Sequence, residues 1–327
     1  MATFLSGAAF GAAMLAAGFY NPAIVLAQLK FENSHMIQAF LAATAASAVA
    51  YSVLEKLGVV SLKPRSNSPL GVLSRYDGNI TGGSLLGAGM ALSGSCPGTM
   101  LAQMGAGVTT GFYVFQGAVL GGILYTGFIA RAVKVSNDKA GTKAEVSTLN
   151  EALGLSRTAT AALLEMACAA AVIGTVVYTS PAPGLKIPGW QGGLLIGCAQ
   201  LFSMLTRRSM MGVSGSYEEA GKYVWWLLGG ADSASQPGYA NMVFAGGVAA
   251  GAWALGRLVP GIIVGPVQEL PPALAISGGA LMIIGSRLAG GCTSGHGISG
   301  MSLLSTSSAI TIMSMFGAGS AVALSFL

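Results

Sequence analysis

One stretch of this chain occurs twice, and that repetition constrains the fold more than any other feature. Residues 80–96 read ITGGSLLGAGMALSGSC and residues 276–292 read ISGGALMIIGSRLAGGC. Aligned without a gap, Ile80, Gly82, Gly83, Leu85, Gly89, Leu92, Gly94 and Cys96 match Ile276, Gly278, Gly279, Leu281, Gly285, Leu288, Gly290 and Cys292. Each copy is a small-residue apolar segment that runs into a glycine-bracketed cysteine and breaks there. Two halves of one chain are therefore expected to deliver one thiol each to a shared site.

Composition identifies the solvent around that site. Only 8% of the residues are charged and 53% are hydrophobic, where a soluble domain carries about a quarter charged residues. The mean hydropathy is +0.68, and apolar runs of roughly 20 residues, long enough to span a bilayer, recur along the chain. The short alternating strands of a membrane barrel are not visible. The expectation is an all-α polytopic membrane protein. Gly occurs 49 times, and the spacings Gly7/Gly11, Gly117/Gly121, Gly193/Gly197 and Gly247/Gly251 together indicate closely packed membrane helices. The first apolar run has no basic leader and is interrupted by Asn21-Pro22, so it counts as the first span rather than a cleaved signal. Four cysteines and two histidines match no zinc-ligand spacing. Cys168 and Cys198 lie in plain apolar runs and read as packing residues.

Nine hydrophobic units follow from the pattern: 3–28, 36–57, a broken unit at 79–107, 108–130, 158–179, 190–205, 241–259, a second broken unit at 273–304, and 308–326. Residues 1–133 form a first repeat half. Residues 134–189 supply a polar connector with a linking transmembrane helix, and 190–327 form the second half of one integrated membrane domain. If each broken unit crosses, Lys56, Lys63, Arg65, Arg75, Arg131, Lys134, Lys139, Lys143, Arg157, Arg207, Arg208 and Lys222 fall on the N-terminal side. Only Lys30, Lys186 and Arg257 then remain opposite. The positive-inside rule places the N-terminus in the cytoplasm, the C-terminus outside, and the two repeats in inverted orientation in a plasma (inner) membrane. Residues 223–228 read as a short interfacial segment, and His35 as an interfacial residue at the start of the second span.

The breaks carry the chemistry. Gly94-Ser95-Cys96-Pro97-Gly98-Thr99 stops one helix and starts another, with Pro97 tolerated in a first turn. Gly290-Gly291-Cys292-Thr293-Ser294-Gly295-His296 does the same, with Thr293 and Ser294 as candidate caps. Freed backbone N–H groups at a helix start attract an anion, and unwound backbone at membrane depth persists only around a cavity or inside protein. Arg287 is the one basic residue well inside an apolar unit rather than at its last turn, suited either to an anion or to a structural ion pair. His296, one turn past Cys292, suits an anion donor or a hydrogen-bonded structural histidine. The candidate substrate-binding set is thus Gly94, Ser95, Cys96, Gly98, Arg287, Gly291, Cys292, Thr293, Ser294 and His296. No catalytic set, metal site, cofactor motif or nucleic-acid signature accompanies it, and a nucleotide-binding loop of the GxxxxGK[ST] type is missing.

Residues 285–300, reading GSRLAGGCTSGHGISG, with the weaker SGSCPG of 93–98 and MGVSGSY of 211–217, resemble the YeeE/YedE family with its sulfur-transport domain. That resemblance implies an inverted repeat pinched at its centre, uptake of thiosulfate, and thiols that contact the terminal sulfur and hand it onward. Cys96 and Cys292 match two of the family's functional cysteines. A third, often found on the first span, is replaced here by the run Phe19, Tyr20, Asn21. The leading expectation is a carrier for a small sulfur oxyanion, thiosulfate first, working within the lipid bilayer. The alternatives are a membrane sulfurtransferase that passes a persulfide to a cytoplasmic acceptor protein, and a carrier or pore for another sulfur or selenium compound.

Overall fold

The computed structural model describes residues 1–182, 184–231 and 236–326. It is helical throughout, and among the described residues β pairing is limited to the isolated bridges Ser66–Val146 and Thr148–Ser305. In chain order the helices are α1 (Ala2–Ala16), α2 (Pro22–Leu29), α3 (His35–Lys56), α4 (Asp77–Ser93), α5 (Thr99–Gly105), α6 (Thr109–Leu124) and α7 (Ala130–Ala140). They continue as α8 (Leu149–Leu153), α9 (Arg157–Tyr178), α10 (Gly189–Arg207), α11 (Ser214–Leu228), α12 (Ala240–Leu258), α13 (Pro272–Leu288) and α14 (Thr306–Phe326). Four described helical stretches are long and apolar enough to cross a bilayer: His35–Lys56, Thr109–Ala140, Arg157–Tyr178 and Thr306–Phe326.

Three expected units have different bounds. The first span breaks at 17–21, where Gly18 has φ +83° and the Asn21 side chain accepts the Ala23 N–H at 3.1 Å. Pro22 then opens α2 because its missing N–H costs nothing in a first turn. The interfacial segment at 223–228 is the end of the longer α11, which lies along α6. The unit ending near residue 130 runs on to Ala140 through a π-helical stretch, Tyr125–Ile129. His35, expected at the interface, is buried, with Nε2 at 2.8 Å from the Ala17 carbonyl oxygen.

The glycines of the repeated stretch face one another. Asn79 on α4 donates to the Ala289 carbonyl just past α13 at 3.1 Å, while a Cβ on Gly278 would meet the Ser93 Cβ at 2.9 Å near the other end of α4. The two copies therefore cross antiparallel. Added Cβ atoms at Gly89 and Gly82 would lie 2.6 Å from the Gly278 and Gly285 carbonyl oxygens, and one at Gly285 would lie 2.5 Å from that of Gly82. Only glycine permits backbones this close. Helix α1 is likewise antiparallel to α10, with the Ser6 hydroxyl 3.1 Å from Thr206 and Ala17 against Gly192.

Neighbours are exchanged between the halves. Helix α1 packs on α12 and α10 on α3, while α4 packs on α14 and α13 on α6. Each of the four GxxxG spacings meets one of these neighbours: Gly7/Gly11 and Gly247/Gly251 at the α1–α12 contact, Gly117/Gly121 on α13, and Gly193/Gly197 on α3.

Two loops close over the bundle. The 57–76 segment is tied to the 137–147 region by Asn137 to the Pro69 carbonyl (2.8 Å), the Tyr76 and Ser147 hydroxyls (2.8 Å) and the Glu145 N–H to Asn67 (2.6 Å). At the opposite end, Glu269 in the 259–271 loop accepts from the Thr109 N–H (3.1 Å), the Thr110 N–H (2.8 Å) and the Thr110 hydroxyl (2.6 Å) at the start of α6. Partial burial pushes this carboxyl up, but the hydrogen bonds prevail and hold it below the usual carboxylate range. A depressed folded-state pKa contributes stability above the unfolded value, about 4.3, that is lost as pH falls through the folded one. The thermal midpoint of detergent-solubilised protein is therefore expected to fall below about pH 4.3, and Glu269→Gln to remove part of that acid dependence.

Candidate substrate site at the paired helix breaks

Both cysteines sit where the repeated helices stop, and the stops are built alike. Gly94 ends α4 at φ +58° and Gly290 follows α13 at φ +82°, left-handed conformations that glycine adopts without strain. Beyond them the chain unwinds and restarts as α5 or as the π-helical Ser294–Gly300. Cys96 is 5% exposed and Cys292 1%.

At the first break the Thr99 N–H approaches the Cys96 sulfur at 3.4 Å, and the Thr99 hydroxyl donates to the Cys96 carbonyl at 3.1 Å. Ser95 turns away, donating to Gln103 Oε1 at 2.6 Å, and Gln103 in turn donates to the Gly94 carbonyl at 3.1 Å. The Tyr217 hydroxyl, arriving from α11, donates to the Pro97 carbonyl at 3.0 Å. At the second break the backbone N–H groups of Val213, Ser214 and Gly295 face the Cys292 sulfur, with the Ser294 hydroxyl at 3.4 Å. Thr293, expected to cap, makes no capping bond; its hydroxyl contacts the Met90 and Met315 sulfurs at 3.4 Å each. Ser294 does not cap either, because it already lies inside the π-helical turn.

A cavity of about 30 Å³ joins the two breaks. Cys96, Thr99, Thr293 and Ser294 line it together with Phe10, Met14, Phe19, Met36, Phe40, Ile196 and Ile298. Ser294 thus faces the chamber that holds Cys96 while its hydroxyl touches the Cys292 sulfur. Such a volume holds about one water, so this is a small chamber with apolar walls and a few polar groups. Gly98 packs against Phe10 at the same place. A far larger groove, about 700 Å³ between α3, α9 and α10, lies away from both breaks.

Arg287 and His296 have other partners. Arg287 reaches Glu218 on α11, which also pairs with Lys222 at 2.6 Å. Of the two readings open for Arg287, the geometry selects the ion pair. Glu218→Ala would leave the Arg287 charge uncompensated and is expected to cost several kcal/mol, whereas Glu218→Leu with Arg287→Met is expected to be nearly neutral. Thermal midpoints of the purified variants check both. His296 lies between the Ala289 carbonyl (Nε2, 3.1 Å) and the Ser308 hydroxyl (Nδ1, 2.9 Å). A carbonyl only accepts, so Nε2 carries the proton and Nδ1 takes one from Ser308. Gly291 faces this ring and the Arg65 guanidinium, where an added Cβ would meet Nη1 at 2.8 Å.

Three contributors escape a reading of the breaks alone. Phe19 occupies the chamber wall in the region of the missing first-span cysteine, and Tyr217 braces the Cys96 turn. Arg65, counted above only as a basic loop residue, donates through Nε to the Gly295 carbonyl at 2.7 Å and through Nη1 to the Gly290 carbonyl at 2.8 Å. The SGSY run at 214–217 was a signal for Tyr217; nothing local marks Arg65.

Thiosulfate transporter TsuA of Spirochaeta thermophila is 24% identical over 293 residues, covering 86% of this chain and 84% of the relative. The family described as Sulphur transport matches residues 16–322, a span that contains both cysteine breaks and every wall of the chamber except Phe10 and Met14. This membrane chain therefore belongs to the sulphur transport family.

Proposed function

We propose that the protein carries thiosulfate across the membrane, with Cys96 and Cys292 contacting the terminal sulfur in turn. The observation that carries this reading is the common chamber: two repeat-equivalent thiols, one on its wall and one a single hydroxyl away. Thiosulfate ends in a large, polarisable sulfur that suits a wall of cysteine, methionine and aromatic groups. Its oxygens need donors, and the break supplies hydroxyls.

Nine crossings in two inverted halves form the frame of the proposal. The antiparallel packing of α1 on α10 and of α4 on α13 supports it, as does the exchange of neighbours between halves. The basic 57–76 and 131–157 segments gather at one end, where Arg157 also pairs with Glu55 at 2.9 Å, which supports a cytoplasmic assignment for that end. Gly94 lies beside Leu270 and Gly290 beside Ser68, on the loops of opposite ends. The order of contact is then outside, Cys96, Cys292, cytoplasm.

Radiolabelled thiosulfate uptake into proteoliposomes, with sulfate, sulfite and selenium analogues as competitors, tests the substrate. Uptake indifferent to a large excess of unlabelled thiosulfate would end the proposal. The sulfurtransferase alternative needs a base beside a nucleophilic thiol, and His296 is committed to Ala289 and Ser308. Mass spectrometry of the Cys292 peptide during turnover separates the two, a persulfide favouring group transfer to a cytoplasmic acceptor.

A further inference from the structure

We propose that Arg65 receives the oxyanion end of the substrate on the inner side of Cys292; this rests on the transport reading above. The 57–76 segment leaves α3, folds back into the bundle and passes beneath the second break. Its backbone is held there. The Ser305 and Ser307 hydroxyls donate to the Arg65 carbonyl at 2.9 and 3.2 Å, and the Ser68 N–H donates to Asn79 at 2.9 Å. Asp77 accepts from the N–H groups of Leu70 (2.6 Å), Val72 (3.0 Å) and Leu73 (3.1 Å).

From this anchored backbone the guanidinium grips the carbonyls of Gly290 and Gly295, which bracket Cys292 in the chain. Both acceptors are neutral. Among the described residues the ion pairs join Arg157 to Glu55 and both Lys222 and Arg287 to Glu218, so none supplies Arg65 with a carboxylate. A half-buried cation bonded to carbonyls therefore has no carboxylate partner. Charge-assisted bonds to an anion are roughly twice as strong as neutral ones, and the planar fork of arginine matches two oxygens of a tetrahedral oxyanion. An arriving anion can therefore displace a carbonyl from the guanidinium.

The thiol is close enough to share that anion. A Cβ placed on Gly295 would lie 2.9 Å from Arg65 Nη2 and 3.7 Å from the Cys292 sulfur, so the guanidinium and the sulfur both pack against this glycine. An anion that draws the guanidinium off these carbonyls would meet the thiol with its terminal sulfur and the guanidinium with its oxygens. The other break has no such partner. Gly94, the equivalent of Gly290, is approached by Pro22 and Leu270, and the 259–271 loop contains neither Lys nor Arg. Lys186 reaches that loop at Gly261 instead. The two repeats thus share the thiol and differ in the cation, which gives the passage a sense of direction.

The test compares Arg65→Lys, which keeps the charge but loses the fork, with Arg65→Gln, which keeps a donor but loses the charge. Both are checked for wild-type elution on size exclusion, then assayed for equilibrium binding of radiolabelled thiosulfate and for uptake. The expected result is an apparent Kd raised at least about tenfold in Arg65→Gln and by a clearly smaller factor in Arg65→Lys, which keeps the charge without the fork. Equal weakening in both variants would assign Arg65 to holding the loop, and wild-type binding by Arg65→Gln would dismiss it altogether; either overturns the inference. Should the wild-type protein neither bind nor carry thiosulfate, the transport reading fails on its own, and the same comparison with sulfate decides Arg65. Sulfate binding that is absent from the wild type, or unchanged in Arg65→Gln, rejects the assignment there too.

Discussion

Alanine at Cys96 or at Cys292 is expected to lower thiosulfate uptake by about 10- to 100-fold, with the folded yield retained. The argument rests on the chamber. An anion entering about 30 Å³ of mainly apolar space has lost its water, and each hydrogen bond to a charged group there contributes about 1.5–3 kcal/mol. Removing one such contact raises the barrier by a similar amount, which converts to the stated range of rates. The sign of the effect is as informative as its size. Alanine is smaller than cysteine, so if width alone limited passage, both variants would run faster than wild type. Serine keeps a donor but lacks the polarisable sulfur, and Cys292→Ser is expected to fall between wild type and Cys292→Ala. Cys198 is exposed and Cys168 packs on the peripheral α9, so alanine at either is expected to leave uptake unchanged. Initial rates into proteoliposomes, normalised to reconstituted protein, decide the matter.

The second large effect concerns folding. Substitution of Gly89 or Gly285 by leucine is expected to abolish recovery of monodisperse protein, and even alanine at these positions to lower the thermal midpoint clearly. At Gly89 the first added carbon would lie 2.5 Å from the Met282 nitrogen and 2.6 Å from the Gly278 oxygen, which are backbone atoms that cannot rotate aside. Overpacking of this kind typically costs about 1–3 kcal/mol even where side chains can give way. Gly174 and Gly246 provide the controls: both are helical glycines with nothing within 4 Å of an added Cβ. Alanine there is expected to be neutral or mildly stabilising, because it relieves the helix cost of glycine. Fluorescence-detected size exclusion after heating separates the two classes. If Gly89→Ala behaved like Gly246→Ala, the crossing of α4 on α13 would not be the tight contact described.

Much of this site was legible from local pattern. A duplicated run of small residues ending in a glycine-bracketed cysteine announces both its copies and its break, because helix termination by glycine and proline is decided within a few residues. Composition was equally direct about the bilayer. The glycines at 82, 89, 278 and 285 were readable as matched positions of a repeat, though not as packing against each other. The break at 17–21 was visible as Asn21-Pro22, yet a hydrophobic average smooths over it, and the run read as one span.

What tertiary structure alone decided is which distant groups meet the breaks. Arg65 stands 225 residues from the carbonyl of Gly290 that it grips, in a loop whose basic charge carried a topological meaning. Arg287 suited an anion or an ion pair until α11 brought Glu218 to it, and His296 an anion or a structural hydrogen bond until α14 brought Ser308. Periodicity and breakers act over a turn or two of chain, so they fix helices and their ends. The partner of a polar side chain depends instead on how those helices cross, and here on backbone contacts that glycine allows across the whole length of the molecule.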